Sequence, residues 1–231
     1  MNNGIQNIFS EVPETYELIN HILTFGLDVV WRKRAAKVAA IVRGNRWIDM
    51  CSGTGEMASN LSNIATKGTQ IFATDFSLPM INKARLKPNL KNIKFVISDI
   101  KKLPFQNETF NLITMAFATR NINLDRDKLI QSFREFYRVL QPGGYLINLE
   151  TSQPSYLLIR RLFHLYVKLF IKQIGRTISG SREGYAYLSR TIPLFYYAEE
   201  LADIMHKAGF KCVNFQKLFF GVAAIHQGIK K

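Results

Sequence analysis

The sequence predicts an α/β protein with a doubly wound, mostly parallel sheet. From residue 46 onward, short apolar segments alternate with amphipathic helical segments, which is typical of strands joined by crossover helices. A glycine-rich turn follows the first apolar segment and leads into a helix-like segment, as in sheets that bind ligands at the carboxyl ends of their strands. The 231 residues are enough for one well-buried domain and few for two, so we expect a single domain over 1–231.

The first part of the chain, residues 1–43, is predicted to form a helical cap. Apolar side chains recur at helical spacing from Glu14 to Thr24 and again from Asp28 to Val42. Asp28 stands where a carboxylate would cap the second helix.

Residues 46–149 carry the predicted alternation. Strands are predicted at Arg46 to Met50, Gln70 to Thr74, Ile93 to Ile97, Thr109 to Met115 and Tyr145 to Leu149. Helices are predicted from Glu56, from Ser77 to Leu86 with Ser77 as the cap, and from Asp125 to Leu140 with a stop at Gln141-Pro142-Gly143-Gly144. Later in the chain follow a helix over Ala198 to Lys207 and strands near Phe210 to Leu218 and Val222 to His226.

Residues 153–197 interrupt this alternation with an insert rich in aromatic residues. Up to Arg182 the insert contains basic residues and no acid. Such a basic, amphipathic segment is typical of a helix that lies in a membrane interface. A lid over the active site and a homodimer interface are compatible alternatives.

The composition excludes several classes of protein. Hydrophobic residues make up 47% and charged residues 21%, which excludes a disordered, collagen-like or coiled-coil chain. Two cysteines, Cys51 and Cys212, are too few for a disulfide framework. The sequence shows no signal peptide and no apolar run of about 18 residues, so we expect a cytoplasmic protein.

The formal net charge of +14 implies an anionic partner, such as a membrane surface, nucleic acid or an acidic ligand. The basic residues are dispersed apart from Arg32-Lys33-Arg34 and the insert, and no RNA-recognition signature is present. We therefore expect peripheral association with the inner face of the cell membrane, and RNA or DNA binding is the less favoured alternative.

The glycine-rich turn is the candidate cofactor loop. Gly53 and Gly55 allow the backbone to approach a ligand closely. Asp75 ends the next strand, where an acid can bind a ribose diol, and Asp99 ends the third strand, where it can accept a hydrogen bond from an adenine amino group. These loops meet at the carboxyl edge of the sheet.

Two cofactors fit this loop. Gly53, Gly55 and Ala58 match the dinucleotide fingerprint G-x-G-x-x-G/A, but a pyrophosphate prefers a bare, positive helix N-terminus. Here Asp49 flanks the turn and Glu56 opens the helix. These carboxylates favour a cationic cofactor, S-adenosylmethionine (SAM), over NAD; a glycine turn without a ligand is the third alternative.

Several segments resemble class I SAM-dependent methyltransferases, and specifically the UbiE/MenG-type C-methyltransferases of ubiquinone and menaquinone biosynthesis. The resemblance implies a Rossmann-like class I methyltransferase fold with N-terminal helices and a helical insert after the fifth strand. The segments follow the family order: Tyr16-Glu17-Leu18-Ile19-Asn20 with Phe25-Gly26 and Trp31, Asp49 to Gly55, Asp75-Phe76-Ser77, Asp99 with Leu103-Pro104-Phe105, Phe117 to Ile122, Arg138 to Gly144 with Glu150-Thr151-Ser152, and Tyr185 to Leu188.

The chain also departs from the family pattern, mainly on the substrate side. The implied reaction is C-methylation of a reduced prenylated quinone, such as a demethylmenaquinol or demethoxyubiquinol. Another polyprenylated redox carrier, a small aromatic compound and RNA are alternative acceptors. A non-enzymatic lipid- or partner-binding role would require loss of cofactor binding. The departures are Glu17, Ile19, Asp28, Ala118, Gln141 and Tyr196.

The resemblance implies a SAM site, with S-adenosylhomocysteine as the product. No metal is expected, because the histidines and cysteines show no metal-ligand spacing. Cys51 has no neighbouring base in the sequence and is not expected to act as a nucleophile. We expect cofactor contacts from Asp49, Gly53, Thr54, Gly55, Asp75, Phe76, Asp99, Ile100 and Ala116.

Arg120 and Asn121 follow the fourth predicted strand and are the principal catalytic candidates. Arg120 is permanently charged, so it suits stabilisation of a phenolate while water carries the proton away. Asn121 suits a hydrogen bond to a ring oxygen. Pairing of Arg120 with Asp125 is the alternative.

Tyr185 and Tyr187 are candidates for contact with the substrate, and packing within the insert is the alternative role for both. His164 is expected to be a surface residue of the insert.

Overall fold

The computed structural model describes residues 13–123, 125–171 and 188–231. Its core is a seven-stranded sheet in the order β3-β2-β1-β4-β5-β7-β6. Strands β1 to β5 are parallel, and β7 runs antiparallel to both of its neighbours, β5 and β6. The predicted mostly parallel sheet is confirmed. The strands are β1 Arg46–Met50, β2 Gln70–Asp75, β3 Lys94–Ile97, β4 Phe110–Ala116, β5 Leu140–Thr151, β6 Lys211–Leu218 and β7 Ala223–Ile229.

Helices cover both faces of the sheet. Two large apolar clusters result, one under α2 and α3 and the other under α6 and α8. The helices are α1 Pro13–Leu23, α2 Leu27–Ala39, α3 Glu56–Ile64, α4 Leu78–Arg85, α5 Thr119–Ile122, α6 Arg126–Val139, α7 Leu157–Tyr166 and α8 Ala198–Lys207, with single helical turns at Pro88–Leu90, Ile192–Leu194 and Phe219–Gly221. The strand order reverses between β1 and β4, which is where open α/β sheets bind their ligands.

Strand β5 begins earlier than the sequence predicts. The segment predicted to stop the preceding helix lies inside this strand, because α6 passes directly into β5 at Leu140. Gly143, in a left-handed conformation with φ of 77°, donates its N–H to the Lys230 carbonyl at 2.8 Å. Pairing with the chain end therefore extends the sheet through a glycine-proline sequence that by itself favours a turn.

The prediction that Asp28 caps α2 is wrong. The residue before the helix is Gly26, with φ of 73°, and Asp28 lies in the first turn, buried. Its carboxylate accepts from Thr24 Oγ1 at 2.7 Å and from Arg32 Nη1 at 2.5 Å. A buried carboxylate requires such partners, so these hydrogen bonds allow Asp28 to be buried in the first turn.

Helix α7 belongs to the described part of the insert, residues 153–171 and 188–197, and lies on the surface. None of its residues is buried. The chain continues as a wider turn, Val167–Ile171, in which Val167 packs against Leu23 and Ile192. The Tyr166 hydroxyl donates to the Leu23 carbonyl at 2.6 Å. These contacts connect α7 to α1.

Candidate active site

A cleft opens at the carboxyl ends of β1, β2 and β4. The ends of these strands and the loops after them supply much of its wall, and helices α2, α3, α4 and α5 contribute the rest, with Arg32 as the residue from α2. The strand ends are fixed by the parallel register, which pairs Asp49 with Ala73 on one side and with Thr114 on the other. Predicted cofactor residues Asp49, Gly53, Thr54, Asp75, Phe76 and Ala116 all line this cleft.

Asp49 is a buried carboxylate with one oxygen available to a ligand. The Thr114 hydroxyl donates to Oδ1 at 2.7 Å, while Oδ2 is buried and has no hydrogen-bond partner among the described residues. Burial raises the pKa of Asp49 to about 7, and the Thr114 hydrogen bond counteracts only part of this increase. A cationic ligand would stabilise the ionised form and provide the missing partner.

The two glycines of the loop have different tasks. At Gly53 an added Cβ would meet nothing within 4 Å, so this position borders open space in the cleft. At Gly55 an added Cβ would lie 2.6 Å from Leu90 Cδ1. Gly53 therefore permits close approach of a ligand, whereas Gly55 permits close packing at the start of α3.

Asp75 is held in place by the loop it faces. Its Oδ2 accepts from the Gly53 N–H at 2.8 Å, and its Oδ1 accepts from the Ser77 N–H at 2.9 Å. Burial raises its pKa, although these backbone hydrogen bonds oppose the rise. Ser77 also caps α4, as predicted.

Asp99 and Ile100 lie outside the lining of the cleft. Asp99 is exposed, and its carboxylate accepts from the Lys101 N–H at 3.0 Å. Ile100 is buried in the apolar core. Their predicted contacts with the cofactor stay predictions.

A second, larger cavity adjoins the cleft and is mainly apolar. Helices α1, α2 and α7 form most of its wall, and the turn at Phe219 closes one side. Three residues line both the cleft and this cavity: Arg32, Phe117 and Asn121. A molecule in one space therefore lies next to a molecule in the other.

Arg120 faces the apolar cavity from the start of α5. Its Nη1 donates to Thr191 Oγ1 at 2.8 Å, and its Nε is buried with no hydrogen-bond partner in the part of the chain that the structure describes. Asp125 instead caps α6 and pairs with Lys128 at 2.7 Å, so the alternative pairing of Arg120 with Asp125 does not form. A buried guanidinium in an apolar cavity is suited to an anionic oxygen.

Asn121 lies at the junction of the two spaces. Its Oδ1 is buried and accepts no hydrogen bond from the described residues. A ligand hydroxyl or ammonium at the junction would satisfy this oxygen.

Four charged or titratable residues form a network, not predicted from the sequence, that connects the cap to the cleft. Arg32 Nη1 lies 2.5 Å from Asp28 Oδ2 and 3.0 Å from Glu56 Oε2. His21 also bridges the two carboxylates, with Nδ1 2.8 Å from Asp28 and Nε2 3.3 Å from Glu56. The i,i+4 spacing of Asp28 and Arg32 was the available signal. Their burial and the partnership with Glu56 depend on tertiary contacts.

The same group contains the cluster of possible metal ligands found among the described residues, His21, Asp28 and Glu56. The guanidinium of Arg32 already lies between the two carboxylates. The guanidinium therefore already balances negative charge of these two carboxylates.

Four other candidate residues complete the comparison with the sequence. Burial raises the pKa of the Cys51 thiol well above its usual value, and the nearby acids raise it further, so this thiol is a poor nucleophile. His164 lies on the surface helix α7 and is half-buried, with its Nε2 2.7 Å from Oε1 of the buried Gln153. Tyr185 and Tyr187 lie outside the described residues.

The strand order and the loops at the switch point define a class I SAM-dependent methyltransferase fold. A SAM-dependent methyltransferase from Thermotoga maritima superposes with a TM-score of 0.69 at 21% identity, covering 98% of this chain and 100% of the other. One from Aquifex aeolicus gives 0.61 at 18% identity, covering 87% and 89%.

The sequence comparisons are more specific than the fold. The ubiE/COQ5 methyltransferase family model matches residues 1–230, and the chain belongs to this family. It is 31% identical to the ubiquinone/menaquinone biosynthesis C-methyltransferase UbiE of Haemophilus ducreyi, covering 98% of this chain and 87% of the relative. It is 32% identical to a demethylmenaquinone methyltransferase of Staphylococcus aureus, covering 98% and 93%. The protein is a SAM-dependent methyltransferase.

Proposed function

We propose that the protein transfers the methyl group of SAM to a ring carbon of a reduced prenylated quinone. The observation that carries this proposal is the junction of an acidic, polar cleft with a large apolar cavity at Arg32, Phe117 and Asn121. The cleft fits a cationic methyl donor and the cavity fits an isoprenoid tail. Relatives at 31% and 32% identity are named for C-methylation in quinone biosynthesis.

The residues of the cleft fit SAM. Asp49 Oδ2 and Ser52 Oγ are buried polar atoms without partners, and both residues line the cleft. Asp49 would hold the cofactor's ammonium group and Asp75 its ribose. When bound, SAM supplies a methyl group on a positively charged sulfur, which a carbon nucleophile attacks.

Residues of the chain must make a ring carbon nucleophilic. Loss of the proton from a ring hydroxyl places electron density on the neighbouring carbon, so a group that stabilises the phenolate promotes attack. Arg120, which lines the apolar cavity, would supply this positive charge. Asn121 Oδ1, which accepts no hydrogen bond from the described residues, would accept one from a ring hydroxyl. Water takes the hydroxyl proton, because Arg120 stays protonated. After methyl transfer the methylated carbon releases its hydrogen as a proton and the ring oxygen takes one up, which restores the aromatic ring.

The acceptor is identified by following the methyl group. Purified protein is incubated with methyl-labelled SAM and a chemically reduced lipid extract, and the labelled species are separated and weighed by mass spectrometry. Label on a prenylated aromatic carrier is the expected result and names the acceptor. Label on soluble aromatics or RNA only, in protein shown to bind SAM, would contradict the proposal.

The substrate tail suggests contact with a membrane, and the surface around the apolar cavity supports peripheral association. Tyr156 and Leu158 at the start of α7 are 71% and 70% exposed, and Phe220 in the turn between β6 and β7 is 67% exposed. Arg161 and Lys168 are exposed cations on the same segment. Each such cation is worth about 1 kcal/mol at an anionic leaflet. Within the described residues, no helix has the length and apolarity needed to cross a bilayer.

The membrane proposal is tested by sedimentation with vesicles of mixed neutral and anionic lipids at low salt. The double variant Leu158→Ser/Phe220→Ser is expected to lose most vesicle binding, because it removes two exposed apolar side chains from this surface. Leu86→Ser is the matched control, since Leu86 is 83% exposed at the end of α4. Equal binding by all three proteins, or self-association of the unaltered protein without vesicle binding, would contradict peripheral association.

A further inference from the structure

We propose that Arg32 of the cap binds the carboxylate of the methionyl end of SAM and selects the cofactor by that group. This inference assigns a cofactor contact to α2, outside the glycine loop and the strand ends. It rests on the cofactor part of the proposed function and is independent of the acceptor.

The first argument is charge complementarity in the cleft. The lining carries three carboxylates, Asp49, Asp75 and Glu56, whereas SAM carries two positive groups and one negative group. Arg32 is the one cationic side chain among the described residues that line the cleft. A buried ligand carboxylate requires a positive or hydrogen-bonding partner, and Arg32 provides both.

The second argument concerns the unused donors of the guanidinium. Both ion pairs of Arg32, with Asp28 and Glu56, use Nη1. Its Nε and Nη2 form no hydrogen bond with any described residue, although the side chain is only 7% exposed. A planar guanidinium binds a carboxylate with two parallel N–H groups, so these two nitrogens are suited to that task.

The third argument is that the guanidinium is held in place. Asp28 and Glu56 hold it from two sides, and it lies over the ring of Phe117 at 5.0 Å from the ring centre. The pKa of Asp28 is lowered: burial alone would raise it, but the Thr24 hydrogen bond and the charge of Arg32 outweigh burial. Asp28 therefore stays ionised and orients Arg32. The fixed position reduces the entropy lost when a ligand binds.

The test compares SAM with decarboxylated SAM, which keeps the amine and the sulfonium and lacks the carboxylate. Dissociation constants are measured by calorimetry on the full chain without acceptor. The unaltered protein is expected to prefer SAM by about 10- to 100-fold, since a hydrogen-bonded charge pair is lost with the analogue. In Arg32→Gln this preference is expected to fall to about one, and in Arg32→Lys to an intermediate value.

Arg34→Gln is the matched control, because it removes the same charge from an exposed position of the same helix, and its preference is expected to equal that of the unaltered protein. If Arg32→Gln weakened the binding of SAM and of decarboxylated SAM equally, Arg32 would only support the fold of the cleft. That result would overturn the inference. If Arg32→Gln does not fold, equal affinity of the unaltered protein for the two ligands overturns it as well. If the unaltered protein prefers SAM over decarboxylated SAM but methylates no prenylated quinol, the result counts against the proposed function and leaves this inference standing.

Discussion

The cofactor cleft and the apolar cavity are adjacent but are built in different ways. The cleft is formed mainly by loops that directly follow β1, β2 and β4, so its polar groups are fixed by strand register. The cavity is formed by α1, α2, α7 and the turn at Phe219, which are distant in sequence and meet at the rim of the sheet. The difference indicates that cofactor chemistry depends on the rigid sheet, and acceptor choice on the surrounding helices.

The largest effect is expected for substitution of Arg120, which lines the apolar cavity and is proposed to stabilise the phenolate in the reaction. Arg120→Ala is expected to reduce kcat by about 10²- to 10³-fold, because it removes the charge that stabilises the phenolate. The dissociation constant of SAM, measured by calorimetry, is expected to stay unchanged, since Arg120 does not line the cleft. Unchanged turnover with normal SAM binding would remove Arg120 from the mechanism.

Asp49 lies in the cleft, so its substitution is expected to change SAM binding and not acceptor binding. Asp49→Asn keeps an acceptor for the Thr114 hydroxyl but removes the charge. SAM affinity is expected to fall by about 10- to 100-fold. Binding of the acceptor, measured by quenching of intrinsic fluorescence, is expected to be the same as in the unaltered protein. A variant that loses acceptor binding and keeps SAM binding would reverse the assignment of the two spaces.

The charge of Asp49 also predicts a pH dependence. Its pKa in the ligand-free protein is about 7, and a cationic ligand favours the ionised form. SAM affinity is therefore expected to rise about tenfold between about pH 5.5 and pH 7, below the pKa of an α-amino group at about 7.7 to 8.0. Asp49→Asn is expected to abolish this rise in calorimetric titrations, and a rise of the same size in the variant would assign it to another group.

The same shift has an opposite effect on the stability of the ligand-free protein. A carboxyl group with a raised pKa binds its proton more tightly in the folded state. The contribution of Asp49 to stability is therefore fully present below its unfolded pKa of 3.8 and is lost as the pH rises through about 7. Asp49→Asn should lack this loss in thermal unfolding.

A smaller effect is expected from Leu162, which lines the apolar cavity on α7. Leu162→Glu places a charge where the tail is expected to bind, so kcat/KM for a prenylated acceptor in detergent should fall about tenfold. The value for the same ring without a tail should not change. Leu165→Glu is the matched control, since Leu165 is comparably exposed on the same helix and does not line the cavity. Equal loss for both variants would exclude a specific tail site.

Most of the sheet and of the cleft could be predicted because their signals are local. Strand β1 and helix α8 have the predicted bounds, and Ser77 caps α4 as predicted. Each of these depends on a few neighbouring residues. Strand β5 was predicted too short, because its first residues are paired with the chain end at Lys230.

The cavity and the cap network could not be predicted in the same way. Asp28 was predicted to cap the start of a helix, whereas it lies buried in the first turn, where it contacts His21 of α1 and Arg32 of its own helix. Arg32 was one of three consecutive basic residues, and only the packing of α2 against α3 distinguishes it from Lys33 and Arg34. The i,i+4 spacing of Asp28 and Arg32 is a local signal, but their contacts with His21 and Glu56 join residues of different elements, which no local pattern relates.

The most direct test of the account is the position of the transferred methyl group. Purified protein is given SAM labelled with carbon-13 in the methyl group and a chemically reduced, demethylated quinone that carries a prenyl tail. Nuclear magnetic resonance of the product distinguishes a methyl group on carbon from one on oxygen. The account predicts label on a ring carbon, lost in Arg120→Ala and retained in Leu165→Glu. A labelled methyl ether, or no labelled product although SAM and the quinol both bind, would contradict it.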